Sequence, residues 1–324
     1  MRDCPHPPAQ LTNRFPARDY ITSRQFKIMC CRDCGLTITT PQPGPGEISD
    51  YYPPGYYGIQ TARRFPSVFE KLQRILYVKR TKWVEKYNGG RPGQVLDVGC
   101  GRGLLLKEFQ NRGWEVVGTE LSDQAASYPR QVLNLPVRIG NLEQLDLPAN
   151  QFDAAVMWHV LEHVPEPRAT LAAVNRVLKP GGIFMVSVPN FGGWEARFSR
   201  DKWFHLDVPR HLNHFTRESL RHLLRDTGFR EVESSGLAPE YDSFSFVQSV
   251  LNRLGLRQNL LYELFRRKGA KVISGDRVSS WQVCLTLLLS VPLGILSVPF
   301  TTVAGLIHQA GTTTVLAVKE RPDA

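Results

Sequence analysis

The chain has 324 residues, of which 42% are hydrophobic, enough for one large core or for one core with a small appendage. Its formal net charge of +10 favours an acidic partner, which could be nucleic acid, an anionic membrane or a phosphorylated substrate. Residues 1–35 contain no apolar run of signal-peptide length, so we expect a cytoplasmic protein whose six cysteines are reduced, not a disulfide scaffold.

The N-terminal segment, residues 1–58, is predicted to be a cysteine-containing extension that ends in a connector rich in proline, glycine and tyrosine. The pattern Cys30-Cys31-x-x-Cys34 is typical of one half of a zinc site, but Pro7 stands where the other half needs its second cysteine. The candidate ligands are Cys4, His6, Cys31 and Cys34. We expect a metal-free remnant rather than a zinc site.

A helix is predicted over 68–87, where apolar residues recur with a period near 3.6 before a glycine pair. Strand and helix patterns then alternate over 94–235, which indicates a parallel sheet with ligands at the carboxyl ends of its strands. The predicted strands cover 94–99, 114–120, 136–140, 152–158, 183–190 and 229–235. The predicted helices between them include 104–113 and 168–182. We therefore place a core domain over 59–239 and its last strand, 312–320, in the closing segment 312–324.

The strongest motif is VLDVGCGRG at 95–103, which leaves the first strand of this core and enters a helix. Glycines allow a sharp turn and a close approach of the backbone to a ligand. Glu120, at the end of the next strand, can accept hydrogen bonds from both hydroxyl groups of a ribose. A dinucleotide-binding turn needs its third glycine one place later than Gly103, and the acidic Asp97 suits a ligand with a cationic end.

This turn resembles motif I of class I S-adenosylmethionine-dependent methyltransferases, and the resemblance covers roughly residues 94–235. It implies an α/β fold with a doubly wound, Rossmann-like sheet of seven strands, six parallel and one antiparallel, and S-adenosylmethionine as cofactor. The implied cofactor-binding residues are Asp97, Gly99, Cys100, Gly101, Gly103, Glu120, Leu121, Asn141, Leu142 and His159. Many members have aspartate in place of Asn141, whose carbonyl can still accept a bond from the adenine amino group.

His159, Glu162 and His163 form an H-x-x-E-H pattern, which on a helix is the signature of inverted zinc peptidases. Such a metal-binding helix needs several turns, whereas Pro165 ends this one after two more residues. We therefore expect no zinc peptidase. The resemblance implies instead that His159 lines the methionine end of the cofactor.

The segment 203–215 holds three histidines, an aspartate and an arginine before a helix whose N-cap is predicted at Thr216. A bacterial subgroup of the resembled superfamily has a similar segment, together with paired tyrosines after its N-terminal zinc ribbon. The predicted substrate contacts are Tyr56, Tyr57, Trp203, His205 and Arg210. His211 or His214 is the predicted proton acceptor, because imidazole titrates near neutral pH. Alternatively, these side chains bond to one another and only order the loop.

The segment 240–311 interrupts the core pattern. Residues 283–307 carry no charge and are long enough to cross a bilayer, and residues 253–277 before them hold seven basic and two acidic side chains. Because the last strand must return to the sheet on the same side, we expect a pair of short helices bent at Pro292 and Pro299 that lies on or dips into an anionic membrane. The alternative is a buried hairpin packed on the body or on a second chain.

The function expected from these features is methyl transfer to a small-molecule, glycan-linked or lipid-linked acceptor, at the inner face of the membrane or in the cytoplasm. The alternative is a membrane-associated cofactor-binding protein that has lost catalysis. A dehydrogenase is disfavoured by the glycine spacing. No nucleic-acid recognition module accompanies the basic charge, so no specific nucleic-acid partner is expected.

Overall fold

The computed structural model describes residues 7–44, 46–52, 67–266 and 278–321. The candidate residues Cys4, His6, Tyr56 and Tyr57 lie outside these ranges. The chain divides into two compact units. The small-sheet unit comprises Met1–Gly58, Pro189–Leu220 and Ser235–Thr313, and the large-sheet unit comprises Ile59–Val188, Arg221–Ser234 and Thr314–Ala324. The sequence analysis assigned residues 189–220 to the core domain, whereas in the structure they belong to the small-sheet unit. The domain boundaries given in the sequence analysis stay a prediction.

Eleven strands and nine α-helices are formed by the described residues. The strands are β1 (Leu11–Arg18), β2 (Gln25–Cys31), β3 (Thr37–Thr40), β4 (Gln94–Val98), β5 (Glu115–Glu120), β6 (Val137–Ile139), β7 (Phe152–Trp158), β8 (Leu178–Pro189), β9 (Asn213–His214), β10 (Phe229–Ser235) and β11 (Thr312–Lys319). The helices are α1 (Ser67–Tyr87), α2 (Leu104–Asn111), α3 (Asp123–Gln131), α4 (Pro167–Val177), α5 (Trp194–Ser199), α6 (Arg217–Asp226), α7 (Pro239–Arg253), α8 (Leu260–Arg266) and α9 (Ser280–Leu306).

The large sheet has seven strands in the order β10-β11-β8-β7-β4-β5-β6. Pairing is parallel from β8 through β7, β4 and β5 to β6. Strand β11 runs the other way, because its end lies beside the starts of β8 and β10: Lys319 Nζ donates to Leu178 O, and Glu320 N donates to Gly228 O. The predicted fold, six parallel strands and one antiparallel, is confirmed.

The strands of this sheet read as apolar runs because both of its faces are covered. In β7 five of the seven residues are buried, and α2 turns Leu105, Leu106 and Phe109 toward the same core. The chain moves from β4 outward to β5 and β6 and then returns to β7 on the other side of β4. The carboxyl ends of β4 and β7 therefore form the switch point at which open α/β sheets bind their ligands.

The helix predicted over 168–182 is too long at its C-terminal end. Helix α4 ends at Val177, and Leu178 is already the first residue of β8. The physical reason is Pro180, which cannot donate a helical hydrogen bond and disfavours helical geometry in the residue before it. Gly181, with φ +81°, then turns the chain in a conformation that favours glycine.

The small sheet was missed by the sequence analysis. Its order is β1-β2-β3-β9, and each neighbouring pair is antiparallel. Strand β2 alternates, with Phe26 and Ile28 buried and Gln25 and Lys27 exposed. The buried residues join an apolar cluster that includes Trp203. The described part of the N-terminal extension, residues 7–44 and 46–52, is thus a structured part of its unit.

Helices α7, α8 and α9 complete the small-sheet unit. The predicted pair of short helices is wrong, because α9 is one continuous helix of 27 residues with Pro292 and Pro299 inside it. Each proline removes a single N–H group, while packing on α7 and α8 supports the helix on both sides of Pro292. The alternative of a hairpin buried on the body of the protein is wrong as well, since only 11% of the most apolar 18-residue window of α9 is buried. Packing of this segment on a second chain stays a prediction.

Candidate functional site

The glycine-rich turn between β4 and α2 brings three left-handed glycines into five residues. Gly99, Gly101 and Gly103 have φ of 68°, 53° and 68°, which other residues rarely adopt. The turn is tied to the neighbouring strand, because Cys100 N donates to Thr119 O at 3.0 Å. A ligand that enters at the carboxyl end of β4 therefore meets exposed backbone rather than side chains.

The three glycines differ in what surrounds them. A Cβ on Gly99 would lie 2.6 Å from Val160 Cγ2, and one on Gly103 would lie 2.8 Å from Leu135 Cδ1, so both positions need glycine for packing. A Cβ on Gly101 would meet no atom of the chain within 4 Å. The space beside Gly101 is the part of the turn that a ligand can occupy.

Two carboxyl groups flank this space. Glu120 Oε1 accepts a hydrogen bond from Gly101 N at 2.5 Å, and Glu120 Oε2 accepts one from Leu121 N at 3.2 Å. Burial raises the pKa of Glu120, and these two N–H groups partly offset that effect. Complete burial, together with the negative charge of Glu120, raises the pKa of Asp97 to about 8. A cationic ligand group would therefore be favoured here, since it would stabilise the ionised form of Asp97.

The remaining predicted cofactor residues follow the adjacent strands. Leu121 follows β5 with its side chain 71% exposed, and Asn141 and Leu142 follow β6, the first exposed and the second buried. Burial raises the pKa of the Cys100 thiol, so we expect it to be protonated. All these residues lie at the carboxyl edge of one sheet, as predicted; their contacts with a cofactor stay a prediction.

His159 follows β7 in a left-handed conformation, with φ of 53°. Its N–H donates to Ser187 O at 2.9 Å, and its Nδ1 lies 3.2 Å from Glu162 Oε1, which is buried. A non-glycine residue held at positive φ is strained, and such strain clusters at functional sites. The zinc-peptidase pattern does not form the helix it would need, because Leu161–His163 is a single 3₁₀ turn.

The predicted substrate contacts Trp203 and Arg210 are buried inside the small-sheet unit. Trp203 is 1% exposed and belongs to the apolar cluster of that unit. Arg210 pairs with Asp19 Oδ1 at 2.8 Å and with Asp207 Oδ1 at 2.7 Å, and it donates to Tyr51 O at 3.1 Å. This geometry favours a structural role for both side chains over contact with a substrate.

The two candidate bases are distinguished by their proton positions. Thr39 Oγ1 donates its one proton to His211 O at 2.8 Å, so His214 Nε2, at 2.9 Å from the same hydroxyl, must be the donor. His211 Nδ1 lies 2.8 Å from His205 O, which can only accept, so Nδ1 carries the proton and Nε2 is the basic nitrogen of the neutral ring. Each neutral ring keeps one unprotonated nitrogen, Nε2 in His211 and Nδ1 in His214, so the tautomers alone do not rank them. We favour His211 as the candidate base because it lines the pocket described next and His214 does not.

An open pocket lies in the same unit. It is lined by Tyr20, Phe204, His205, Asp207, His211, Asn259 and Tyr262. The sequence analysis found the two histidines but missed the rings of Tyr20 and Tyr262, which come from segments far apart in the chain and carry no motif. The pocket combines aromatic walls with polar groups, but its volume of about 80 Å³ could admit only part of a small molecule, because ligand pockets usually have roughly 300–1,000 Å³.

The candidate metal ligands are only partly described. Cys31, the last residue of β2, is buried at the start of the turn to β3, where its N–H donates to Leu36 O and its carbonyl accepts from Gly35 N, each at 2.9 Å. Cys34 is partly buried in the same turn. The expectation that these two residues, with Cys4 and His6, form a metal-free remnant of a zinc site stays a prediction.

A buried acid pair gives the small-sheet unit a pH dependence. Glu195 Oε2 and Asp242 Oδ1 have no hydrogen-bond partner among the described residues, and a Cβ on Gly311 would lie 2.8 Å and 3.4 Å from them, respectively. Burial raises the pKa of Glu195 to about 7 and that of Asp242 to about 8. Both groups thus hold protons in the folded state that the unfolded chain releases near pH 4.

The sign follows from this proton count: the contribution of each acid to stability is present below about pH 4 and is lost as the pH rises through 7 to 8. We predict that Glu195→Gln raises the free energy of unfolding at pH 8.5 by on the order of 2 kcal/mol, with little effect at pH 4. Urea unfolding at the two pH values measures the difference. An equal effect at both would show that Glu195 is not protonated in the folded state.

The fold and the glycine-rich turn together define a protein of the doubly wound, Rossmann-like α/β class. The sequence profile of one family within that class, described as a methyltransferase domain, matches residues 62–234. The chain therefore belongs to the methyltransferase-domain family.

Its curated relatives include ubiquinone biosynthesis O-methyltransferases. That of Acinetobacter baylyi is 34% identical over 132 residues, which is 38% of this chain and 55% of the relative. That of Alkalilimnicola ehrlichii is 37% identical over 118 residues, 34% of this chain and 48% of the relative. The chain thus spans about half the length of the curated relatives it matches.

Two similar solved structures come from Archaeoglobus fulgidus and Mesorhizobium loti. A SAM-dependent methyltransferase from Archaeoglobus fulgidus is 18% identical with a TM-score of 0.47, covering 76% of this chain and 93% of that chain. An S-adenosylmethionine-dependent methyltransferase from Mesorhizobium loti is 15% identical with a TM-score of 0.44, covering 74% of this chain and 97% of that chain.

Proposed function

We propose that the protein transfers the methyl group of S-adenosylmethionine to a hydroxyl group of a small molecule. The observation that carries the proposal is the open space beside Gly101, near Glu120 and Asp97 at the switch point of a methyltransferase-family sheet. Backbone with no Cβ in the way, a ribose-binding carboxylate and an acid suited to a cation fit this cofactor.

Each residue has a part in holding that cofactor. The turn 99–103 would receive its amino-acid end, Glu120 its ribose and the segment 140–142 its adenine. The cofactor supplies a methyl group on a sulfonium sulfur, which leaves as a neutral thioether. The protein's contribution is alignment of the acceptor oxygen with the methyl carbon, exclusion of water and removal of the hydroxyl proton.

For the acceptor we propose a ring-bearing molecule, free or attached to a lipid or glycan carrier. The aromatic pocket of the small-sheet unit supports this, because Tyr20, Phe204 and Tyr262 offer rings for stacking. The names of the relatives, O-methyltransferases, support oxygen as the methylated atom. His211 Nε2 is the group we propose to take the proton when the carbon–oxygen bond forms.

The cofactor assignment predicts a defined loss of affinity. Glu120→Ala should weaken binding of both S-adenosylmethionine and S-adenosylhomocysteine by roughly 1–3 kcal/mol, because it removes a charged acceptor from the ribose site. Isothermal calorimetry measures both affinities. Glu115→Ala, an exposed acid on the same strand, is the matched control and should bind normally. Tighter binding of NAD than of S-adenosylmethionine would refute the assignment.

The base assignment predicts that the two histidines behave differently. His211→Gln should lower turnover by about 100-fold or more with cofactor affinity unchanged, because proton removal is lost. His214→Gln should lower thermal stability but leave turnover per folded molecule near normal, because an amide can replace its hydrogen bond to Thr39. Equal turnover in both variants would assign the loop a structural role. Cofactor binding with no turnover on any acceptor would favour the non-catalytic alternative.

The location of the enzyme is part of the proposal. We propose that it works at the inner face of the membrane, where a lipid-linked acceptor would be available. The support for this is the single helix, α9, that is long and apolar enough to cross a membrane among the described residues.

A further inference from the structure

Helix α9 has an inverted distribution of side chains. Its most buried residues are small or polar, and they follow one face of the helix: Thr286, Ser297, Thr301, Ala304 and Gly305. Its large apolar side chains point outward and are 48–71% exposed: Leu287, Leu288, Val291, Ile295, Leu296, Val298, Val303 and Leu306. We call these eight residues the apolar face. A helix at the surface of a water-soluble protein has the opposite arrangement, with its large apolar residues turned inward.

The packed face is built for close approach to α7 and to the loop that precedes it. A Cβ on Gly305 would lie 2.9 Å from Gly236 O, and Thr301 Oγ1 lies 3.3 Å from Ser243 Oγ on α7. Small residues at four-residue spacing, with hydroxyl contacts between helices, are typical of helices that pack in lipid. Toward its N-terminal half, Leu285, Leu289 and Leu293 pack on the apolar core of α7 and α8.

This packing determines how α9 can meet a bilayer. Its contacts with α7 involve both halves of the helix, and α7 carries charged side chains such as Glu240 and Arg253. A helix bound in this way cannot be surrounded by lipid, so it does not cross the hydrocarbon as an isolated span. Its apolar face can instead be immersed along the length of the helix, with the axis in the plane of the interface.

The positive charge of the sequence before α9 indicates what kind of partner covers the apolar face. Residues 278–311 contain no Asp, Glu, Lys or Arg, whereas residues 253–277 hold seven basic and two acidic side chains. Trp281 and Phe265, 59% and 56% exposed, add aromatic rings of the kind found at membrane interfaces. A second copy of the chain would carry the same formal charge of +10, which opposes its approach. An anionic surface complements it.

We infer that the apolar face of α9 inserts in the plane of an anionic lipid bilayer, to which the basic side chains that precede α9 in the sequence are attracted. The attachment is independent of the chemistry at the cofactor site, so it can fail or hold regardless of the proposed methyl transfer. A monomer that left eight large apolar side chains in water would be unusual, because exposed patches of this kind mark interaction sites.

Cosedimentation of the full chain with vesicles tests the inference. The protein should pellet with phosphatidylglycerol vesicles and at least about tenfold more weakly with phosphatidylcholine vesicles, because each nearby basic residue strengthens binding to an anionic surface. High salt should weaken the association without abolishing it, since only the charge contribution is screened. Failure to pellet with phosphatidylglycerol, in a protein that is monomeric without detergent, would overturn the inference.

Substitutions on the apolar face give the matched comparison. Ile295→Glu and the milder Ile295→Ser should reduce vesicle binding, the first by at least about tenfold, with thermal unfolding unchanged because the side chain is 70% exposed. Val132→Glu, a similar change at a 51% exposed site outside α9, should bind normally. If wild type is a dimer that Ile295→Glu dissociates, and neither binds vesicles, the face is covered by a second copy and the inference is wrong.

Discussion

Replacing Gly101 with valine is expected to reduce affinity for S-adenosylmethionine by at least about 100-fold while the protein remains folded. A Cβ at position 101 would have no atom of the chain within 4 Å, so we expect the folded chain to tolerate the valine side chain. The same side chain would take up the space that the cofactor needs. Backbone strain adds only about 1–2 kcal/mol for a left-handed residue with a side chain. Calorimetry with S-adenosylmethionine and thermal unfolding separate the two effects.

The control for this prediction is Gly89→Val. Gly89 follows α1, has φ of +69° and likewise has no atom within 4 Å of an added Cβ, so the variant carries the same backbone strain away from the turn. It should bind the cofactor normally. If both variants bind with wild-type affinity, the space beside Gly101 is not where the cofactor lies.

Replacing Arg210 with methionine is expected to cost about 3–5 kcal/mol of folding free energy. The side chains of Arg210 and Asp19 are both 0% exposed, and removing the guanidinium would leave a buried carboxylate without its ionic partner. Asp19 would keep only local bonds, such as that from Thr22 N at 2.9 Å. Urea unfolding followed by circular dichroism measures the loss.

The double variant Arg210→Met with Asp19→Asn tests the cause. Removing the orphaned charge should recover part of the lost stability, because a neutral amide costs less to bury than a carboxylate. If Arg210 instead served a substrate, the single variant would be as stable as wild type and would lose only acceptor affinity. That result would restore the substrate role predicted from the sequence.

The large sheet was predictable because its signals are local. Apolar runs mark β4 and β7, and Gly99 to Gly103 carry their conformational requirement in the sequence itself. The N-cap at Thr216 was local too: Ser219 N donates to Thr216 Oγ1 at 3.1 Å, as predicted. Even the two carboxyl groups at the turn follow from position, since each belongs to a strand that ends at the same edge.

The small-sheet unit was missed because its contacts join distant parts of the chain. Arg210 and Asp19 are 191 residues apart, and the bond between Thr39 and His214 spans 175. The alternation in β2, with two buried apolar residues separated by exposed Lys27, is a pattern typical of a strand. The nearby cysteines instead favoured the interpretation of this segment as part of a metal site. The proton positions on His211 and His214 also required the structure, because the hydrogen-bond partner of a ring nitrogen determines whether that nitrogen carries the proton.

The interleaved construction of the two units has a consequence for biosynthesis. The small-sheet unit is assembled from three stretches that end at Thr313, and the large sheet needs β11, which ends at Lys319 and lies between β8 and β10. A chain emerging from the ribosome therefore cannot finish the small-sheet unit before Thr313, or the large sheet before Lys319, has been made. Folding on this topology requires closure of long loops and should be slow. Until then the core residues of both units remain accessible, in addition to the apolar face of α9, which folding does not cover, so the nascent chain is expected to depend on a chaperone or on early contact with the membrane.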